Sequence, residues 1–145
     1  MGTCDNDRDR TVTAELDLAT LLSNVRPEMR EGIFVFCTIA EGGGIPAVNP
    51  LLTFREQEGT TLVLRREEAE AAGLSHQFAS RLITLTVHSS LEAVGFLAAV
   101  TARLAAAGIS VNAVSAFHHD HLFVPEHRAD EALSLLQNTP VPTPR

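Results

Sequence analysis

The 145-residue sequence predicts an α+β fold of two tandem ferredoxin-like halves, each an antiparallel sheet with helices packed on one face. Three observations carry this. Apolar stripes at helical spacing are interspersed with short runs of β-forming residues. Glycine, proline and polar clusters punctuate the junctions. The order α-β-β-β-α in the first half is answered by β-α-β-β-α in the second, one strand short of a complete ferredoxin-like unit. The divisions are a polar tail at 1–14, an N-terminal half at 15–78, a C-terminal half at 79–138 and a proline-rich tail at 139–145.

In the first half, Asp17 is placed to cap a helix whose Leu18, Leu21, Leu22 and Val25 form one stripe, and Pro27 closes it. The run Gly32 to Ile39 is continuously apolar and reads as a buried strand. Gly42, Gly43 and Gly44, with Pro46 and Pro50, make the next stretch a loop. LLTFRE and TTLVLR form a hairpin across Gln57 to Gly59. Glu67 to Ala72 is a short helix, with Gly73 just past its end and Leu74 placed to pack back on it.

In the second half, Arg81 to His88 alternates Ile83, Leu85 and Val87 with Leu82, Thr84 and Thr86, the period of a strand. Ser89 and Glu92 stand in capping-box spacing and open a helix through Ala107, which Gly108 ends. ISVNAVSAF and HLFV are strands joined by a tight turn. Ala129, Ala132, Leu133 and Leu136 stripe a last helix.

Composition narrows the function. Hydrophobic residues are 45% of the chain and charged residues 20%, enough apolar content for a packed core. A net charge of −7 with 11 basic residues does not suit a nucleic-acid surface, which needs clustered Lys and Arg. No apolar run reaches membrane-spanning length, and Met1 to Arg10 has no apolar leader, so a soluble cytoplasmic chain is expected. Cys4 and Cys37 form no CxxC motif, and Cys37 reads as a small buried hydrophobe.

The segment TLTVHSSLEAVGFLAAVTARLAAAGISVNAVSAF resembles the ACT domain family. Gly95-Phe96-Leu97 stands where that family has a glycine and an apolar pair, and Gly108-Ile109-Ser110 matches its helix-to-strand turn. The whole string, with VHSSLEAVG, GISVN and HHDHLFVP, resembles small bacterial tandem-ACT proteins, over about Leu16 to Leu136. The resemblance implies binding of a small-molecule effector, most often an amino acid, at an interface between ACT units; no cofactor is expected. His88 follows the strand where many ACT domains have an acidic residue.

The residues agree in part. A helix N-terminus offers unpaired N–H groups and partial positive charge to a carboxylate. The expected ligand-binding set is His88, Ser89, Ser90, Val94, Gly95, Phe96 and Asn112. Gly95, read as lying inside the helix, invites close approach by a ligand or, equally, by packed backbone. Val94, Leu97, Thr101 and Leu104 make one stripe, with Phe96, Ala99 and Val100 off it, so the second face is expected to pack on the other half or in a homo-oligomer.

Phe117-His118-His119-Asp120-His121-Leu122 is the most conspicuous polar cluster. With His119-Asp120 at a hairpin tip, His118 and His121 would oppose each other. Metal binding is one reading. A polar turn or a wall of the ligand site is the other, because adjacent strand residues point to opposite faces. There is no G-x-S-x-G, phosphate loop or H-E-x-x-H, and catalytic residues are not expected.

Overall fold

The computed structural model of the chain describes residues 18–87 and 93–138. Helix α1 covers residues 18–24. There follow β1 (Arg26–Met29), β2 (Phe34–Ala40), β3 (Leu52–Arg55), β4 (Gly59–Arg65), α2 (Arg66–Ala71) and β5 (Gln77–Thr86). The second half continues with α3 (Phe96–Ala106), β6 (Asn112–Ser115), β7 (Asp120–Pro125), a single 3-10 turn (Glu126–Arg128) and α4 (Ala129–Gln137).

All seven strands of the described residues join one antiparallel sheet in the order β3-β4-β2-β5-β7-β6, with β1 also on β5. Strand β5 holds the halves together. One of its edges pairs with β7 from Ser80 to Leu85. The other carries two strands end to end: β1 opposite Ile83 to Thr86, and β2 opposite Gln77 to Ser80. A register shift separates the two pairings of β2, and there the Ser80 hydroxyl donates to the Phe34 carbonyl at 3.0 Å.

The sequence predicts no strand at β1, where Pro27 reads as a helix stop. Pro27 instead sits opposite Leu85 in a strand that pairs on one side only, where a missing N–H is tolerated. Strand β5 also begins four residues earlier than expected. The β3–β4 hairpin does turn at Gln57-Glu58, closed by reciprocal backbone bonds between Glu56 and Gly59. A Cβ at Gly59 would lie 2.4 Å from the Ile39 carbonyl oxygen, so the crossing against β2 requires glycine.

The described helices share one face of the sheet. Val35, Cys37, Leu62 and Leu64 pack with Ala69 of α2. Ile83, Leu85, Leu122 and Val124 pack with Leu22 of α1, Phe96, Val100 and Leu104 of α3, and Ala132 and Leu136 of α4. Phe96 and Val100, read as a second apolar face that packs on the other half or in a homo-oligomer, lie in the core beside Leu22 of the first half. The opposite face holds a separate cluster of Phe34, Val63, Leu82 and Phe123, joined by Phe36, Leu52, Phe78 and Val114. The Phe36 and Phe123 rings meet edge to face at 5.4 Å.

Candidate functional site

Two regions bear on binding. The first is the turn from β5 into α3. His88, Ser89 and Ser90 lie outside the described residues, as does Glu92. Helix α3 begins at Phe96, so the Ser89–Glu92 pair does not stand at its start. Gly95 is the N-cap rather than an interior residue, with φ +86° in the left-handed region. A Cβ there would make ordinary contact with Leu18 Cδ2 at 3.5 Å. Backbone conformation, not crowding, is what asks for glycine. Phe96 is 2% exposed and anchors α3 in the core, whereas Val94 is 84% exposed.

Asn112 does not join this group. It pairs with Phe123, which lies in the cluster on the face of the sheet opposite to α3. Two strands flanking a helix are neighbours in the sheet order only when nothing is inserted; here β7 lies between β5 and β6.

The second region is that open face. The tip of the β6–β7 hairpin is Phe117-His118, with Ser115 opposite Asp120, Val114 opposite His121, and Ala116 N–H donating to the His119 carbonyl. His118 and His121 therefore do not oppose each other. Asp120 is buried and accepts from the Ser115 hydroxyl at 2.6 Å. Its cross-strand partner Leu85 belongs to the helix-side core, so Asp120 and His121 project to opposite faces. Among the described residues no three His, Cys, Asp or Glu side chains group to hold a metal ion.

His121 makes a contact that sequence reading missed. Its Nδ1 lies 3.0 Å from Thr84 Oγ1, and Arg30 Nε donates to the same oxygen at 3.1 Å. Thr84 is 1% exposed, so its hydroxyl hydrogen needs an acceptor, and His121 Nδ1 is placed to be one. Burial, reinforced by the nearby His119 and Arg30 charges, pushes the His121 pKa down against a weaker opposing pull from Asp120. With Nδ1 accepting from Thr84, a neutral ring carries its proton on Nε2. Alternation in Arg81 to His88 gave Thr84 a face, but no local signal linked it to Arg30, 54 residues away.

Beside this chain of hydrogen bonds is a cavity of about 160 Å³, lined by Leu51, Leu52, Leu82, Val114, His121 and Phe123. Leu52 is on β3 and Val114 on β6, the two ends of the strand order. The sheet curls until its ends wall one slot.

ACT domain profiles match residues 13–81 and 77–138. The chain belongs to the ACT domain family. The two ACT matches overlap within β5, the strand shared by both parts of the sheet. A Vibrio cholerae protein of unknown function, described as a possible transport protein, is 44% identical, with TM-score 0.76 over 86% of this chain and 96% of its own. An Agobacterium tumefaciens protein is 18% identical, with TM-score 0.68 over 79% and 87%. The ligand-free regulatory subunit of aspartate kinase from Thermus thermophilus shares the fold at 11% identity, with TM-score 0.56 over 78% and 97%. No curated protein matches the chain. ACT membership supports a regulatory, ligand-binding role in general. No helix among the described residues is long and apolar enough to cross a membrane.

Proposed function

We propose that this tandem-ACT chain is a non-catalytic sensor of a small-molecule effector, with an amino acid as that effector, received at the turn that closes on Gly95. The carrying observation is the α3 N-terminus. Gly95 caps it in a left-handed conformation and supplies no side-chain acceptor to the first-turn N–H groups. Those groups and the helix dipole suit a carboxylate. Phe96 would contribute its backbone N–H, its ring being committed to the core. His88, Ser89 and Ser90 precede this turn in sequence and would complete it. A regulatory subunit of aspartate kinase, an enzyme named for an amino acid, shares this fold.

The test is a thermal-shift screen of the full chain against the twenty amino acids. One of them should raise the melting temperature, and Ser89→Ala combined with Gly95→Asn should remove the rise. Asn is chosen because it tolerates positive φ, which a β-branched residue does not. No stabilisation by any amino acid, or a rise unchanged in the double variant, would overturn the proposal.

A second reading, an assembly module whose ACT units associate, draws on exposed Phe54 and Phe117, at 63% and 77%. On that reading light scattering reports a dimer at micromolar concentration, and Phe54→Ser with Phe117→Ser returns a monomer.

A further inference from the structure

We infer that the slot between the two ends of the curled sheet is a second binding site, for a small apolar monocarboxylate. It lies on the open face, away from α3 and the Gly95 turn, and does not depend on the amino-acid reading. Three observations support it.

The first is size and lining. A dry cavity near 150 Å³ lined by aliphatic and aromatic side chains accommodates a ring the size of benzene. Here Leu51, Leu52, Leu82, Val114 and Phe123 line about 160 Å³ of a slot that is open on one side. The wall formed by Leu51 is held in place: its N–H donates to the Val63 carbonyl at 2.8 Å, and the preceding loop is tied down where Asn49 N–H donates to Glu68 of α2.

The second is the polar end. Arg30 Nε–H donates to Thr84 Oγ1, and the Thr84 hydroxyl donates to His121 Nδ1. That sequence fixes the ring and leaves Nε2–H as a donor on a residue that lines the slot. Arg30, half exposed and 3.5 Å from Glu28, holds this arrangement from the Thr84 side of the ring. A carboxylate in the slot would accept the Nε2–H.

The third is what the lining omits. Leu51, Leu52, Leu82, Val114, Ala116 and Phe123 carry no polar side-chain atom, and His121 presents a donor. An ammonium group entering the slot would lose its water and gain no side-chain acceptor from these residues. This separates the ligand from an amino acid and leaves an acid with one hydrophobic group, branched aliphatic or aromatic.

The experiment is calorimetric titration of the full chain with phenylacetate and isovalerate, with acetate and phenylalanine as comparisons. Phenylacetate or isovalerate should bind, acetate at least about tenfold more weakly for lack of buried hydrocarbon, and phenylalanine should not compete. His121→Leu should weaken binding about tenfold or more through loss of the donor, and Val114→Phe should abolish it by filling the slot from an edge strand. Val114→Met serves where the phenylalanine variant fails to fold, circular dichroism being the check. Gly95→Asn should leave this binding unchanged, which separates it from the effector turn. Absence of binding by both acids overturns the inference. So does affinity unchanged in the His121 and Val114 variants, or displacement by phenylalanine.

Discussion

Thr84 and His121 face each other across β5 and β7, and a 3.0 Å hydrogen bond between their side chains fixes which nitrogen of the imidazole is free. Because Arg30 enters the same bond from the segment just after β1, three distant parts of the chain meet at one hydroxyl.

The His121 ring should titrate below the ordinary histidine value of about 6.5, as burial and the His119 and Arg30 charges favour the neutral form over the pull of Asp120. The unfolded chain then takes up a proton first as pH falls. This group's contribution to stability is complete above the unfolded value and is lost as pH drops toward the folded one. Proton NMR of the imidazole signals across about pH 4 to 8 checks it. A midpoint at or above the free-histidine value would contradict the assignment.

Replacing Arg30 by Met should lower stability by about 1 kcal/mol, the usual net worth of one hydrogen bond. The Thr84 oxygen loses its donor, and the bridge to Glu28 adds little because both partners are about half exposed. Urea unfolding of the two proteins measures the difference. Thr84→Val on top of Arg30→Met should then cost less than Thr84→Val alone, because the pair share one bond.

Gly59→Ala should cost more, at least about 2 kcal/mol, because the new methyl would meet the Ile39 carbonyl oxygen and the backbone is in a left-handed region, φ +152°. Far-UV circular dichroism on heating would show the lowered midpoint. Gly44→Ala is the control, since nothing lies near a Cβ there.

Cys37 should resist thiol reagents in the native protein. It is buried, and burial raises its pKa, so little thiolate forms at neutral pH. A Cys4→Ser protein treated with a disulfide reagent should react at the rate of global opening. Immediate, stoichiometric reaction would show that β2 opens locally.

The two halves should unfold in one transition. Cutting between 78 and 79 would divide β5, whose first residues pair with β2 and whose last pair with β1. Calorimetry of the full chain should give one endotherm, and a fragment from residue 79 onward, deprived of β1, should not melt cooperatively. Two resolved endotherms would show that the halves are separate bodies after all.

Elements marked by local chemistry were legible in the sequence. The Gln57-Glu58 hairpin, the Gly73 helix end and the α4 stripe of Ala129, Ala132 and Leu136 needed only neighbours a few residues away. β1 was not legible, because four residues containing Pro27 form a strand solely through β5, far along the chain. The start of α3 was misplaced for the opposite reason: a capping-box spacing at Ser89 outweighed the plainer signal of Gly95 before an apolar run. Of the candidate site, Gly95 was found and its conformation misjudged. The Arg30–Thr84–His121 chain was hidden, since it joins positions 54 and 37 residues apart and neither separation has a sequence signature.

The sharing of β5 also sets an order of assembly. The β3–β4 and β6–β7 hairpins close over short turns and are local events, whereas β1 and the second edge of β2 must wait for a partner more than forty residues downstream. Until Gln77 to Ser80 have been made, the second edge of β2 has no partner, and the Phe34 and Phe36 rings lack Phe123 until β7 follows. A nascent first half is therefore a sticky, one-edged sheet, and the arrival of β5 is the step that converts it into a protein safe from its neighbours.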